Sequence, residues 1–120
     1  MFDPNAMRPC VANWEEVAQW LLQRVQRECV GGVLDERTRA LLDELLAYPG
    51  VSRDWLRAAP SAAPVVPVSY TNGEHRFDFF STVTTLGTPQ DITLQELRIE
   101  CFFPVDGATE RATREQLATP

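Results

Sequence analysis

Apolar side chains recur at helical spacing through the first half of the chain and at alternate positions through the second. Trp14, Val17, Ala18, Leu21, Val25 and Cys29 fall on one side of a helix. Asn13 stands at its start as a capping residue, with Glu16 three positions on, close to a capping box. Glu15 and Glu16 also place anions in the first turn, where the helix dipole favours them. Gly31-Gly32 ends this helix, because glycine readily takes the left-handed conformation. Residues 1–12, with Pro4 and Pro9, read as an irregular lead-in. Asp35 caps a second helix whose apolar side is Leu41, Leu42, Leu45 and Tyr48, and Pro49-Gly50 stops it. Ser52 caps a short third helix carrying Trp55 and Leu56, which ends before Pro60.

After residues 58–64, a hinge with little to pack, the period changes. Val65 to Tyr70 reads as a short strand, and Pro67, which cannot donate to a ladder, places it at an edge. Asn72-Gly73 predicts a hairpin with a type I′ turn. The next strand runs from about His75 to Leu86, with Phe77, Phe79, Ser81, Val83 and Thr85 on one face. Gly87 to Asp91 breaks the chain, and a third strand spans about Thr93 to Phe103. Its apolar alternation (Leu97, Ile99, Cys101, Phe103) is set against Glu96, Arg98, Glu100 and Phe102. The expected architecture is α+β: N-terminal helices packed on a three-stranded antiparallel sheet, residues 1–60 being the helical half and 65–104 the sheet half. Residues 105–120 read as a polar tail, with at most a weak helix over 109–117.

The length of 120 residues suits one domain, and 44% hydrophobic with 23% charged residues is the balance of a folded globular protein. The net charge is −6, and all eleven basic residues are arginine, a usage that points to a GC-rich bacterial genome. Arg24 with Arg27, Arg37 with Arg39, and Arg53 with Arg57 are pairs each flanked by Glu or Asp, which makes solvated helix faces rather than a phosphate-binding surface. Direct contact with nucleic acid is not expected. Cys10, Cys29 and Cys101 have neither disulfide-framework nor zinc spacing and read as reduced, packed thiols of a cytoplasmic protein. No apolar run approaches membrane-span length, and no secretory signal stands at the N-terminus.

Candidate chemistry is sparse. His75, the sole histidine, follows the Asn-Gly turn with no nucleophile motif near it, so it reads as an exposed hairpin residue. Adjacent carboxylates such as Glu15-Glu16 and Asp43-Glu44 point apart around a helix. No phosphate loop or metal spacing is present, so no catalytic residue, metal or cofactor is expected. Trp20, off the helix stripe, is either incidental or part of a contact surface. The apolar set Trp14, Leu21, Phe77, Phe79, Leu97, Ile99, Cys101 and Phe103 is assigned to a single interior space between helix and sheet, either packed core or a ligand cavity.

The block Phe80-Ser-Thr-Val-Thr-Thr-Leu-Gly-Thr-Pro-Gln-Asp-Ile-Thr-Leu-Gln-Glu-Leu-Arg-Ile-Glu-Cys-Phe-Phe-Pro104 resembles the end of the MmyB-like ligand-binding domain, a PAS-like domain of XRE-type helix-turn-helix bacterial regulators. Asn13-Trp-Glu-Glu-Val17, following Phe2-Asp3-Pro4, and Leu41-Leu42-Asp43-Glu44-Leu45 extend the resemblance over roughly residues 2–104. It implies a ligand-sensing or protein-interaction module, here without the family's DNA-binding domain and opening strands. On that footing the strand residues Leu97, Arg98, Ile99, Glu100, Cys101 and Phe102 present an unpaired edge, to be completed by a second copy or a partner chain. Two readings stand: a sensor or binding module with an apolar small molecule or a protein as partner, or a structural oligomerisation domain. A small enzyme is the least supported.

Overall fold

The computed structural model describes residues 1–27, 35–85 and 98–119. A 3₁₀ turn at Arg8–Cys10 leads into α1 (Trp14–Arg27), followed by α2 (Glu36–Ala47) and a 3₁₀ turn at Arg53–Leu56. Then come β1 (Val68–Thr71), β2 (Arg76–Thr85), β3 (Arg98–Pro104) and α3 (Gly107–Ala118). The strands form one antiparallel sheet in the order β1-β2-β3, so the α+β expectation holds and β1 is an edge, as Pro67 implied. Cys29, Gly31-Gly32 and the segment from Gly87 through Leu97 lie outside the described residues.

Local signals account for the helix starts. The Asp35 carboxylate accepts from the Thr38 N–H at 2.7 Å, capping α2, and the Ser52 hydroxyl accepts from the Asp54 N–H. Asn13 is employed differently from the expected cap. Its Oδ1 accepts from the Ser69 N–H at 2.9 Å and its Nδ2 donates to Pro67 O at 2.8 Å, which ties the start of α1 to β1 across the hinge. Its remaining contact, to Glu16 Oε2 at 3.1 Å, is the only trace of the capping box.

The core sits among the helices. Phe2, Val11, Trp14, Ala18, Leu22 and Leu42 are buried together, so the lead-in is a packed part of the fold. Trp14 lies edge-on to Phe2 (6.4 Å between centroids) and to Trp55 (5.9 Å), donates its indole N–H to Met1 O, and carries the Arg8 guanidinium 3.4 Å over its ring. Leu22, not its neighbour Leu21, is the fully buried leucine of α1. Gln23 is buried as well, and its Nε2 donates to Trp55 O and Ala58 O, stitching the 3₁₀ turn to α1.

Two further expectations are corrected. The hairpin after β1 forms, but of its central residues only Gly73 has positive φ (+94°), so the turn is not type I′. It is a four-residue loop in which Asn72 Oδ1 accepts from the N–H groups of Glu74 and His75. The polar tail contains α3, a helix of 12 residues capped by Asp106 on the Thr109 N–H. Thr109 is buried, and its hydroxyl accepts from the Asp78 N–H where β3 has ended, which docks α3 on the sheet.

Asp78 carries an acid-sensitive part of this arrangement. The Ser69 hydroxyl first, and then the Arg76 guanidinium at 2.9 Å, hold its carboxyl below the ordinary aspartate value. The Asp35 and Asp106 caps are lowered in the same direction by the N–H groups they accept from. A carboxyl whose folded pKa lies below its unfolded one stabilises fully above the unfolded value of about 3.9, and loses that contribution as pH falls through the folded value. Denaturant unfolding is therefore expected to show stability constant near neutrality and falling below about pH 4. Asp78→Asn is expected to flatten that fall in part, leaving the share of the two caps. An unchanged acid slope in the variant would remove Asp78 from this role.

Candidate functional site

The sheet presents one face to α1. By register, Phe79 pairs with Val68 and Pro104, Ser81 with Phe102, and Val83 with Glu100, so these side chains share a face with Tyr70 and Phe77. Between this face and α1 lies a cavity of about 470 Å³. From the helix side it is lined by Val17, Trp20, Leu21 and Arg24, and from the sheet by Val68, Tyr70, Phe79, Ser81, Val83, Glu100 and Phe102. Met1, Met7, Val65 and Val66 close its margins. Its lining is mostly apolar, with Tyr70, Ser81, Glu100 and Arg24 as polar residues among it. Burial, followed by the Glu100 charge, pushes the Tyr70 phenol above its ordinary value of 10.0, so it remains a neutral O–H donor throughout the physiological range.

Of the residues singled out from sequence, Leu21 and Phe79 line this cavity. Phe77 lies on the same face, half-buried against His75 at the hairpin end, with ring centroids 6.2 Å apart. Trp14 belongs to the helical core and borders a different cleft. Leu97 lies outside the described residues. The assignment of Ile99, Cys101 and Phe103 to the face of Phe79 is wrong. Phe103 is the partner of Phe80, Cys101 of Thr82 and Ile99 of Thr84, so all three lie on the opposite face. There Phe80 and Phe103 stack at 5.3 Å with an interplanar angle of 22°. The physical cause is parity, because pairing that differs by one residue exchanges every inward and outward side chain. Phe102 and Glu100, read as outward, therefore reach the cavity, and so does Trp20.

Nearly all of β3 is open to solvent. Arg98, Ile99, Glu100, Cys101 and Phe102 are exposed, and β2 is the only strand neighbour of β3 among the described residues. Cys10 and Cys101 are free but exposed, which corrects their reading as packed thiols. His75 is exposed in the loop, as expected. Among the described residues no group of three His, Cys, Asp or Glu is placed to hold a metal ion, and no helix is long and apolar enough to cross a membrane.

Residues 1–115 match the family model of the MmyB-like transcription regulator ligand binding domain, nearly the whole chain and including the first turns of α3. No curated protein and no solved structure matches.

Proposed function

Because the chain belongs to the MmyB-like transcription regulator ligand binding domain family, a family of regulatory binding modules rather than of enzymes, we propose that it senses a small molecule held between α1 and the sheet. The observation that carries this reading is the cavity of about 470 Å³, a volume within the range of ligand sites. The occupant has an apolar body, to suit Val17, Leu21, Val68, Phe79 and Phe102. It has a polar end able to accept from the Tyr70 phenol or the Arg24 guanidinium and donate to Glu100. Binding there bears on the orientation of α1 relative to the sheet, the displacement through which a regulator would transmit occupancy. A cytoplasmic bacterial regulator of the XRE type is the setting that goes with this reading. DNA contact is assigned to another part of such a regulator, since the arginines lie among acids in a chain of net charge −6. Native mass spectrometry of the purified chain tests the proposal: a retained small molecule is expected, and protein that neither retains nor takes up any apolar ligand would remove it.

A second reading, pairing of β3 with another copy, is favoured by one observation. Val83, Ile99, Phe102 and Phe103 are all 43–54% exposed at one end of the sheet, on both of its faces. Apolar side chains beside a strand edge that has no strand partner among the described residues form a template for a second strand. Light scattering is expected to show a dimer at about micromolar concentration, dissociated by Ile99→Lys with Phe103→Lys, since lysine on an edge blocks such pairing. A wild-type chain that stays monomeric at high concentration would contradict it.

A further inference from the structure

A second, larger cleft lies on the other side of Trp20. It has a volume of about 710 Å³ and is enclosed by the first turns of α1, the 3₁₀ turn at Arg53–Leu56 and the hinge residues Ala59, Ser61 and Val66. Its chemistry differs from that of the cavity against the sheet. Trp20 and Trp55 supply indole surface, and Glu15 and Glu16 stand on its rim. Gln23 lines it from within, 6% exposed. Among the described residues the Gln23 side chain makes two hydrogen bonds, both donated from Nε2, to Trp55 O and Ala58 O. Nothing among the described residues donates to its Oε1, and Gln23 is one of the residues that line the cleft. An acceptor held in a buried side chain, aromatic walls and two carboxylates together define a site for a flat cation rich in N–H donors.

We propose that this cleft binds a guanidinium group, with the cation against the indoles, an N–H on Gln23 Oε1 and the charge balanced by Glu15 and Glu16. The chain already contains the same pairing twice, with the Arg8 guanidinium 3.4 Å over Trp14 and the Arg24 guanidinium 5.5 Å from the Trp20 ring. The positive end of α1 opposes a cation, but its partial charge of about +0.5 is smaller than that of two carboxylates. Guanidinium is favoured over ammonium because it is planar, stacks on aromatic rings, and sheds its weaker hydration more readily. Its source is either a free guanidinium compound or an arginine side chain of a protein segment.

The test titrates the full chain with N-acetyl-argininamide at about physiological salt, where distant surface charges are screened, following tryptophan fluorescence and calorimetric heat. Saturable one-site binding is expected. The neutral isostere N-acetyl-citrullinamide is expected to bind at least about tenfold more weakly, and so is the arginine probe to Glu15→Gln with Glu16→Gln. The rim carboxylates are exposed, so that variant is expected to keep the wild-type far-UV circular dichroism. Tighter binding of an arginine-containing peptide than of the capped amino acid assigns the source to a protein segment, and equal binding assigns it to a small molecule. Absence of saturable binding overturns the proposal. So does equal affinity for the citrulline probe, or for N-acetyl-lysinamide, which would mean that shape or net charge alone attracts the probes.

Discussion

Truncating Leu22 to alanine is expected to lower the unfolding free energy by about 3–5 kcal/mol. Leu22 has no solvent exposure and is the one large side chain buried so completely among the described residues. It sits in the cluster with Trp14, Ala18 and Leu42, with Trp55 and Leu56 packed against the same group. Rigid aromatic neighbours held by an indole hydrogen bond and an overlying guanidinium collapse poorly into a void, so the cavity term adds to the lost transfer energy. A loss of that size is a large share of the roughly 5–15 kcal/mol that holds a domain together. Leu41→Ala, one position along α2 from buried Leu42 and 44% exposed, serves as the comparison and is expected to cost under about 1 kcal/mol. Urea unfolding with an unchanged slope measures both. Equal effects of the two truncations would place the core elsewhere.

The helices were legible in the sequence because their periodicity and caps agree: Asp35 and Ser52 cap as read, and Trp14, Val17 and Ala18 face inward. The choice between Leu21 and Leu22 was not legible. α1 is contacted on two sides, so its apolar stripe is broad, and Leu21 reaches the sheet-side cavity while Leu22 enters the helical core. Asn13 was read locally as a cap, but a side chain with both donor and acceptor serves β1 across 54 to 56 residues of sequence. α3 was read only as a weak helix over 109–117 in a polar tail, and its docking was not legible because its anchor is polar. The buried Thr109 hydroxyl is invisible to a hydropathy pattern.

In the candidate site, Leu21 and Phe79 were legible and half of the sheet wall was not. β3 carries aromatic residues on both faces, Phe102 on one and Phe103 on the other, so alternation alone names no inward side. The more apolar alternation, Ile99-Cys101-Phe103, drew the assignment. The pairing of Ser81 with Phe102 decides otherwise, and nothing local to β3 encodes that pairing. Tyr70, Ser81 and Glu100, the polar residues of the cavity that the proposal assigns to orienting a ligand, entered only with the register.

That register also provides the most direct test of the proposed binding site. Ser81 is half-buried and lines the cavity, whereas Ile99 lies on the opposite face and is 45% exposed. Ser81→Trp places an indole in existing space between β2 and α1, at a folding cost expected to stay within about 1–3 kcal/mol. Ile99→Trp adds the same bulk outside the cavity. Native mass spectrometry of wild type and both variants, each checked for cooperative unfolding, compares the small molecule retained by each. Wild type and Ile99→Trp are expected to retain it equally, and Ser81→Trp to lose it. Retention by folded Ser81→Trp, or loss confined to Ile99→Trp, would contradict a ligand site between α1 and the sheet.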